Sequence, residues 1–79
     1  MQTNIRQIVL EILGEINEGC DFENCDDFFE EELIDSMGVI TMLSMLEDAF
    51  SITILPEDIT ADNFINVGSI VELVEKYEG

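Results

Sequence analysis

The side chain best placed for chemistry is the hydroxyl of Ser36, which follows Asp35 at the start of a long segment with helical apolar periodicity. Asp35 occupies the position of a helix N-cap, because its carboxylate can accept hydrogen bonds from the free N–H groups of the first turn. Ser36 then falls at the first helical position, where unpaired N–H groups and the helix dipole favour negative charge. The pattern predicts a serine whose phosphate ester would be stabilised at a helix N-terminus.

The chain lacks the residues that would make Ser36 a catalytic nucleophile. Histidine is absent, which removes the usual general base and a common metal ligand, and Asp35 alone cannot complete a triad. No glycine-rich loop is followed by lysine, since Gly38 stands alone. We therefore expect no catalytic residues and no enzyme activity, but a small domain that presents one residue to other proteins.

Cys20 and Cys25 are the two cysteines of the chain. No basic residue lies beside them to favour the thiolate, and without a secretory context we expect reduced thiols. A Cys-x4-Cys pair with no histidine and no further cysteine is a poor zinc site. The sequence predicts no dedicated metal site at the cysteines.

The acidic segment from Asp21 to Glu32 has the length of an EF-hand calcium loop, with Glu32 at the position of the bidentate glutamate. The sixth position is Asp26, where the sharp turn requires glycine, and the fifth is Cys25. The segment fails as an EF-hand, so a calcium-buffering protein is only a minor alternative. Weak binding of divalent cations by the clustered carboxylates stays open, because hard cations prefer oxygen ligands.

The net charge of −17 arises from nineteen acidic residues against two basic ones, Arg6 and Lys76. Phosphate backbones and anionic membrane surfaces would repel such a chain, so we expect neither nucleic-acid binding nor membrane insertion. Basic surfaces of partner proteins would be attracted, although an acidic surface can also serve solubility alone. The same repulsion opposes self-association and predicts a monomer.

The length of 79 residues and the hydrophobic content of 47% predict one small globular domain that spans residues 1–79. The N-terminus shows helical periodicity in place of a basic region followed by an unbroken apolar run, so no signal peptide is expected. No segment has the apolar length of a membrane span. A cytoplasmic protein is the expectation.

Helical periodicity predicts an all-α fold, with three main helices at 3–17, 36–50 and 67–77. A brief helix at 60–64, capped by Thr60 and with Phe64 directed inward, completes a predicted four-helix bundle. The connection 18–32 is long and acidic, and we expect its phenylalanines to fasten it over the bundle.

The ends of the helices carry the expected signals. Thr3 or Asn4 can cap the first helix, and Asn17 and Gly19 should end it. Asn66 is the expected cap of the last helix. The predicted inner face of that last helix consists of Ile70, Val71, Val74 and Tyr77.

The second helix should bury one stripe and leave extra apolar surface. The predicted buried residues are Val39, Ile40, Leu43, Leu46 and Phe50. Met37, Met42 and Met45 extend the apolar surface beyond that stripe, and methionine is common on surfaces that meet several partners. Core filling is the alternative for these methionines, and it is favoured for Met45. Gly38 either permits the close approach of a partner or is a tolerated first-turn glycine.

These features together resemble the acyl carrier protein family. Asp35-Ser36-Met37 is similar to the Asp-Ser-Leu signature of that family, and the match continues through Leu33-Ile34 before it and through 46–50 and 52–56 after it. The resemblance covers nearly the whole chain and implies an acyl-carrier-protein-like bundle. It also implies that a phosphopantetheinyl transferase attaches 4′-phosphopantetheine from coenzyme A to Ser36, and that the arm holds acyl or aminoacyl groups as thioesters.

The resemblance further implies that acyl-loading and acyl-using enzymes dock on the second helix. Their basic patches would meet Asp35, Glu47 and Asp48, and Met37 would make an apolar contact beside Ser36. The main prediction is therefore a carrier protein for fatty-acid, lipid or specialised biosynthesis.

The chain departs from the fatty-acid type at two positions, where Gly38 and Thr41 replace the familiar acids. The Asp-Ser-Met form and the segment 52–56 resemble the D-alanyl carrier proteins of teichoic acid modification. Those proteins typically have a tryptophan near the position of Phe64, and this chain has none. A D-alanyl carrier protein, and an acidic helical interaction module without a cofactor, stay open as alternatives.

Overall fold

The computed structural model describes residues 4–78, whose regular structure is entirely helical, with no β-strand among them. The elements in chain order are α1 (Ile5–Ile16), α2 (Ser36–Phe50), the 3-10 helices η1 (Pro56–Asp58) and η2 (Ala61–Phe64), and α3 (Val67–Glu78). The α1 helix packs against both α2 and α3. The predicted all-α class is confirmed, with three α-helices and two 3-10 helices in the described chain.

The α1 helix begins after Asn4, whose side-chain oxygen accepts the Gln7 N–H at 3.1 Å. This bond confirms Asn4 as the cap, and the alternative cap, Thr3, lies outside the described residues. The helix ends at Asn17, where the backbone becomes extended. Gly19 follows with a φ of +85°, a conformation that glycine adopts without steric cost. The predicted breakers therefore end α1.

The α2 helix has the predicted bounds, and Leu46 and Phe50 are buried as predicted, but the rest of its buried face differs. Its buried line consists of residues four apart, namely Gly38, Met42, Leu46 and Phe50. Met42 is 0% exposed and Ile40 is 59% exposed, so the assignment of Ile40 to the core is wrong. The two residues lie about 200° apart around the helix axis, so they cannot both face the core. Val39, Leu43 and Met45 are half-buried against the core beside that line.

The brief helix predicted at 60–64 is the 3-10 helix η2. Thr60 caps it, with Oγ1 accepting the Asn63 N–H at 3.4 Å, and Phe64 is fully buried, as predicted. A segment of four residues suits the tighter i→i+3 pattern of a 3-10 helix, which is used in short pieces. The predicted four-helix bundle is therefore not confirmed, because the described residues form three α-helices and the predicted fourth helix is a 3-10 helix.

The α3 helix begins at Val67, where Asn66 Oδ1 accepts the Ser69 N–H at 2.8 Å and confirms the predicted cap. Its buried residues include Ile70 and Val74, as predicted, and also Leu73, which the predicted inner face leaves out. The remaining two predicted residues of that face, Val71 and Tyr77, are half-buried.

The long connection between α1 and α2 is fastened to the helices by aromatic side chains. Phe22 and Phe28 are buried and meet edge to face, with ring centroids 5.3 Å apart and an interplanar angle of 85°. Phe28 also donates its N–H to the Ile65 carbonyl at 2.8 Å, close to the start of α3. Phe29 is half-buried. The expected role of the phenylalanines is confirmed, and the connection is an ordered part of the fold.

A polar cluster joins η1 to the end of α3. The Asp58 carboxylate accepts hydrogen bonds from the Tyr77 hydroxyl and, at 3.1 Å, from the Lys76 ammonium. The Tyr77 oxygen accepts the Leu55 N–H at 3.0 Å. The Tyr77 hydroxyl and the Lys76 ammonium hold the pKa of Asp58 below its ordinary value, and the bond to Asp58 raises the pKa of Tyr77 and that of Lys76. The cluster holds the link after α2 against α3.

Candidate functional site

Ser36 is the first residue of α2 and is exposed. Directly before it, Asp35 has extended backbone, and its Oδ1 accepts the Gly38 N–H at 2.8 Å. The Asp35 carbonyl accepts the Val39 N–H at 3.0 Å and begins the helical hydrogen-bond ladder. The predicted cap is confirmed. It places the Ser36 hydroxyl at the positive end of the helix dipole.

The segment before Asp35 is held in place by two other parts of the chain. Leu33 donates its N–H to the Phe28 carbonyl at 2.8 Å, and its own carbonyl accepts the Asn17 side-chain amide at 2.9 Å. Ile34 is buried in the core. The sequence predicts Asn17 only as a helix breaker, because nothing in a single sequence indicates a bond to a residue so distant. Asn17 and Phe28 thus fix the backbone that leads into the site.

The surface of α2 beside Ser36 is apolar. Met37 is 69% exposed and lies next to Ser36, and Ile40 is exposed one turn further along the helix. We call these two residues the apolar patch. The first acidic residues within α2 are Glu47 and Asp48, roughly 17 Å along the axis from Ser36. Although the chain has a net charge of −17, the apolar patch is exposed directly beside Ser36.

Two of the three acids predicted to dock partners are bonded within the fold. Asp35 accepts the Gly38 N–H, and Glu47 Oε2 accepts the Ile54 N–H at 2.9 Å, which fastens the link that follows α2. Asp48 is exposed on the helix surface. The docking role of these residues stays a prediction, and the geometry gives Asp35 and Glu47 structural roles in addition.

Gly38 faces the protein interior. It is buried, and a Cβ added there would lie 3.1 Å from Ile34 Cγ2 and 3.6 Å from Ile16 Cγ2. Of the two alternatives for Gly38, the approach of a partner is therefore contradicted, because the residues that approach it closely belong to the same chain.

The acidic connection forms an open cleft of about 550 Å³ beside Cys25. Its other lining residues are Asp21, Asn24, Asp26, Asp27, Glu30, Glu31 and Leu33. Asp27 stabilises the turn that follows it, because its Oδ1 accepts the N–H groups of Phe29 and Glu30, both at 3.0 Å. Cys20 and Cys25 are free thiols and half-buried. Within residues 4–78, no three cysteine or acidic side chains converge in a way that could hold a metal ion.

The site suits a phosphodiester on Ser36. The serine is exposed, the helix dipole favours the added negative charge, and Asp35 directs its Oδ1 toward the Gly38 N–H. The chain supplies no histidine that could activate the hydroxyl. Fold and site thus define a class of protein, a small helical domain with an exposed serine at the N-terminus of its second helix. No helix within residues 4–78 is long and apolar enough to cross a membrane.

Comparison with protein families agrees with this class. The family described as phosphopantetheine attachment site matches residues 4–75, which is nearly the whole chain. The chain therefore belongs to this family of phosphopantetheine carrier proteins, whose domain is the attachment site for covalently bound 4′-phosphopantetheine. The expectation of a carrier protein that bears this cofactor is confirmed.

Two relatives of the chain are D-alanyl carrier proteins from two strains of Lactobacillus delbrueckii subsp. bulgaricus. The chain is 31% identical to each of them over 77 residues, which cover 95% of either sequence. The similarity supports a carrier function and extends over nearly the whole of either chain.

Proposed function

We propose that Ser36 receives the 4′-phosphopantetheine arm and that this protein carries acyl or aminoacyl groups between partner enzymes. The observation that supports the proposal is the position of Ser36, exposed on the first residue of α2, directly after the Asp35 cap and inside the matched segment 4–75. Other serines suit the role less well, because Ser44 lies in the middle of α2, Ser51 follows its C-terminal end, and Ser69 is half-buried.

In the proposed modification, Ser36 Oγ forms a bond to the phosphorus of coenzyme A that carries pantetheine. The pyrophosphate bond breaks, and adenosine 3′,5′-bisphosphate leaves. The hydroxyl proton passes to a base of the transferase, because the chain has no histidine and Asp35 is bonded to the Gly38 N–H. When bound, the arm supplies a thiol that holds the cargo as a thioester. The residues of this chain supply position and recognition, and no enzyme activity of its own is proposed.

Partner enzymes would dock on the exposed face of α2. The apolar patch of Met37 and Ile40 lies beside Ser36. Asp48 is exposed roughly 18 Å along the helix axis from Ser36. An acyl-loading or acyl-using enzyme would match this surface with an apolar contact near its active site and a basic patch at the Asp48 end. Asp35 and Glu47 can add to the negative field, but their carboxylates are also bonded within the fold.

Two cargoes are proposed. The D-alanyl carrier relatives favour D-alanine, as used in teichoic acid modification, and Gly38 and Thr41 in place of the acids of the fatty-acid type agree with this choice. A fatty acyl group, or an acyl group of lipid or specialised biosynthesis, is the second candidate. Incubation of the modified protein with D-alanine, ATP and a D-alanine-activating ligase, in parallel with a fatty-acyl-activating ligase, distinguishes the two by the mass of the loaded product.

The proposal treats residues 1–79 as a single carrier domain that acts as a monomer. The net charge of −17 supports the monomer, because like charges oppose self-association. The cytoplasmic location stays a prediction.

The assignment of Ser36 is tested with a fluorescent coenzyme A analogue and a broad-specificity phosphopantetheinyl transferase. We expect the parent protein and Ser44→Ala to be labelled and Ser36→Ala to stay unlabelled, while all three give the same circular dichroism spectrum. Ser44→Ala is the matched control, since it removes an exposed hydroxyl from the same helix. Labelling of Ser36→Ala would contradict the assignment.

A further inference from the structure

We infer that Gly38 is a positioning residue for the modification of Ser36, because the lack of a side chain at residue 38 lets the first turn of α2 lie against Ile34 and Ile16. This inference rests on the proposed function of Ser36. It concerns how the fold holds the serine and assigns Gly38 no contact with the cofactor.

A Cβ at residue 38 would make unusually tight contacts. A Cβ at this position would lie 3.1 Å from Ile34 Cγ2 and 3.3 Å from Asp35 Oδ1. Both distances are shorter than ordinary van der Waals contact between such atoms. The Asp35 contact is the milder of the two, because residues with side chains are common at the third helical position after a cap. The Ile34 contact therefore decides the effect of a substitution.

Ile34 has little room to move away. Its side chain is buried in the core, and the adjoining Leu33 is bonded at its N–H to the Phe28 carbonyl and at its carbonyl to the Asn17 side chain. Protein interiors are close-packed and transmit strain. A Cβ at residue 38 would therefore displace the first turn of α2, which carries Ser36, more readily than it would displace Ile34.

The other helical glycines of the chain are different and provide matched controls. A Cβ at Gly14 in α1 would meet nothing within 4 Å, and a Cβ at Gly68 in the first turn of α3 would meet Asn66 Oδ1 at 3.4 Å, an ordinary contact. Alanine favours a helix over glycine. Gly14→Ala and Gly68→Ala should therefore raise the melting temperature and leave the modification of Ser36 unchanged.

The experiment measures kcat and KM of a phosphopantetheinyl transferase on the parent and on Gly38→Ala, at a temperature where circular dichroism shows both to be folded. We expect kcat to fall about tenfold with little change in KM, since a displaced nucleophile reacts slowly even when the docking surface binds. The second variant, Gly38→Ala/Ile34→Leu, removes the branch that carries Cγ2 and conserves side-chain volume. It should recover most of the lost rate. If Gly38→Ala does not fold, the double variant should regain the fold and be modified at close to the parent rate, and a double variant that stays unfolded or slow would overturn the inference.

Hydrogen exchange of the residue-38 amide gives a readout that needs no transferase. This N–H donates to Asp35 Oδ1 in the parent, so exchange should be faster in Gly38→Ala and slow again in the double variant. Parent-like kcat in Gly38→Ala, or no recovery in Gly38→Ala/Ile34→Leu, would overturn the inference. Failure of the parent itself to be modified would instead overturn the proposed function of Ser36.

Discussion

Truncation of Met42 tests the orientation of α2, which determines the side chains that surround Ser36. Met42 is 0% exposed, and Met42→Ala removes three heavy atoms from the core. At about 0.8 kcal/mol per buried group of methylene size, the transfer contribution is about 2.4 kcal/mol, and the cavity left behind raises the cost to about 3–4 kcal/mol. A chain of this length has a total stability of roughly 4–12 kcal/mol, so the loss amounts to between about a quarter and nearly all of it.

The matched variant is Ile40→Ala, on the same helix and two residues away. Ile40 is largely exposed, so its truncation should change the free energy of unfolding by no more than about 0.5 kcal/mol. Leu46→Ala, on the buried line with Met42, is the positive control and should cost about 2–5 kcal/mol.

Urea unfolding followed by circular dichroism gives the three free energies. We expect Leu46→Ala and Met42→Ala to lose much more free energy of unfolding than Ile40→Ala. The melting temperature of Met42→Ala should be lowered by more than about 12 °C. A cost for Ile40→Ala equal to or larger than that for Met42→Ala would refute the reasoning. In that case α2 would be rotated, and the apolar patch beside Ser36 would not exist.

Two further predictions concern the Asp35 cap of α2 and the polar cluster around Asp58 and Tyr77. Asp35→Ala should cost about 1 kcal/mol of stability and slow the modification of Ser36. Asp35→Asn keeps an acceptor for the Gly38 N–H and should cost less. Equal losses of the two variants in urea unfolding would contradict the cap. Tyr77→Phe removes the hydroxyl bonded to Asp58 and Leu55. Because the folded pKa of Asp58 is lowered, the contribution of its bonds is present above about pH 4 and is lost as the pH falls through that folded pKa. Because the folded pKa of Tyr77 is raised, its contribution is present below about pH 10 and is lost as the pH rises further. The difference in unfolding free energy between parent and Tyr77→Phe should therefore be largest near neutral pH, and a difference independent of pH would contradict the cluster.

The start of α2, where Ser36 lies, could be predicted well because its signals are local. A capping aspartate, a serine and an apolar-periodic run fix the start of α2 through bonds within a few residues, and the structure has Asp35 bonded to the Gly38 N–H. The ends of α1 and the cap of α3 depend on equally local chemistry at Asn4, Asn17 and Asn66, and they too were predictable.

Features that depend on distant packing could not be predicted. Ile40 was wrongly assigned to the core of α2 because Ile40 and Met42 are both apolar, and only the packing of α2 against α1 and α3 decides between them. The bond from Asn17 to the Leu33 carbonyl joins two segments far apart in sequence. Glu32 has a φ of +59°, and nothing about a glutamate indicates a left-handed turn at that position.

Peptide mapping of the modified protein tests the central claim most directly. Trypsin is unsuited, because Arg6 and Lys76 are the only basic residues. A glutamate-specific protease that cuts after Glu32 and Glu47 releases the fragment 33–47, which contains Ser36 and Ser44. After incubation with coenzyme A and a phosphopantetheinyl transferase, we predict one phosphopantetheinyl group on this fragment, assigned to Ser36 by fragmentation. Modification at any other residue, or an unmodified fragment from a folded and fully treated sample, would contradict the account.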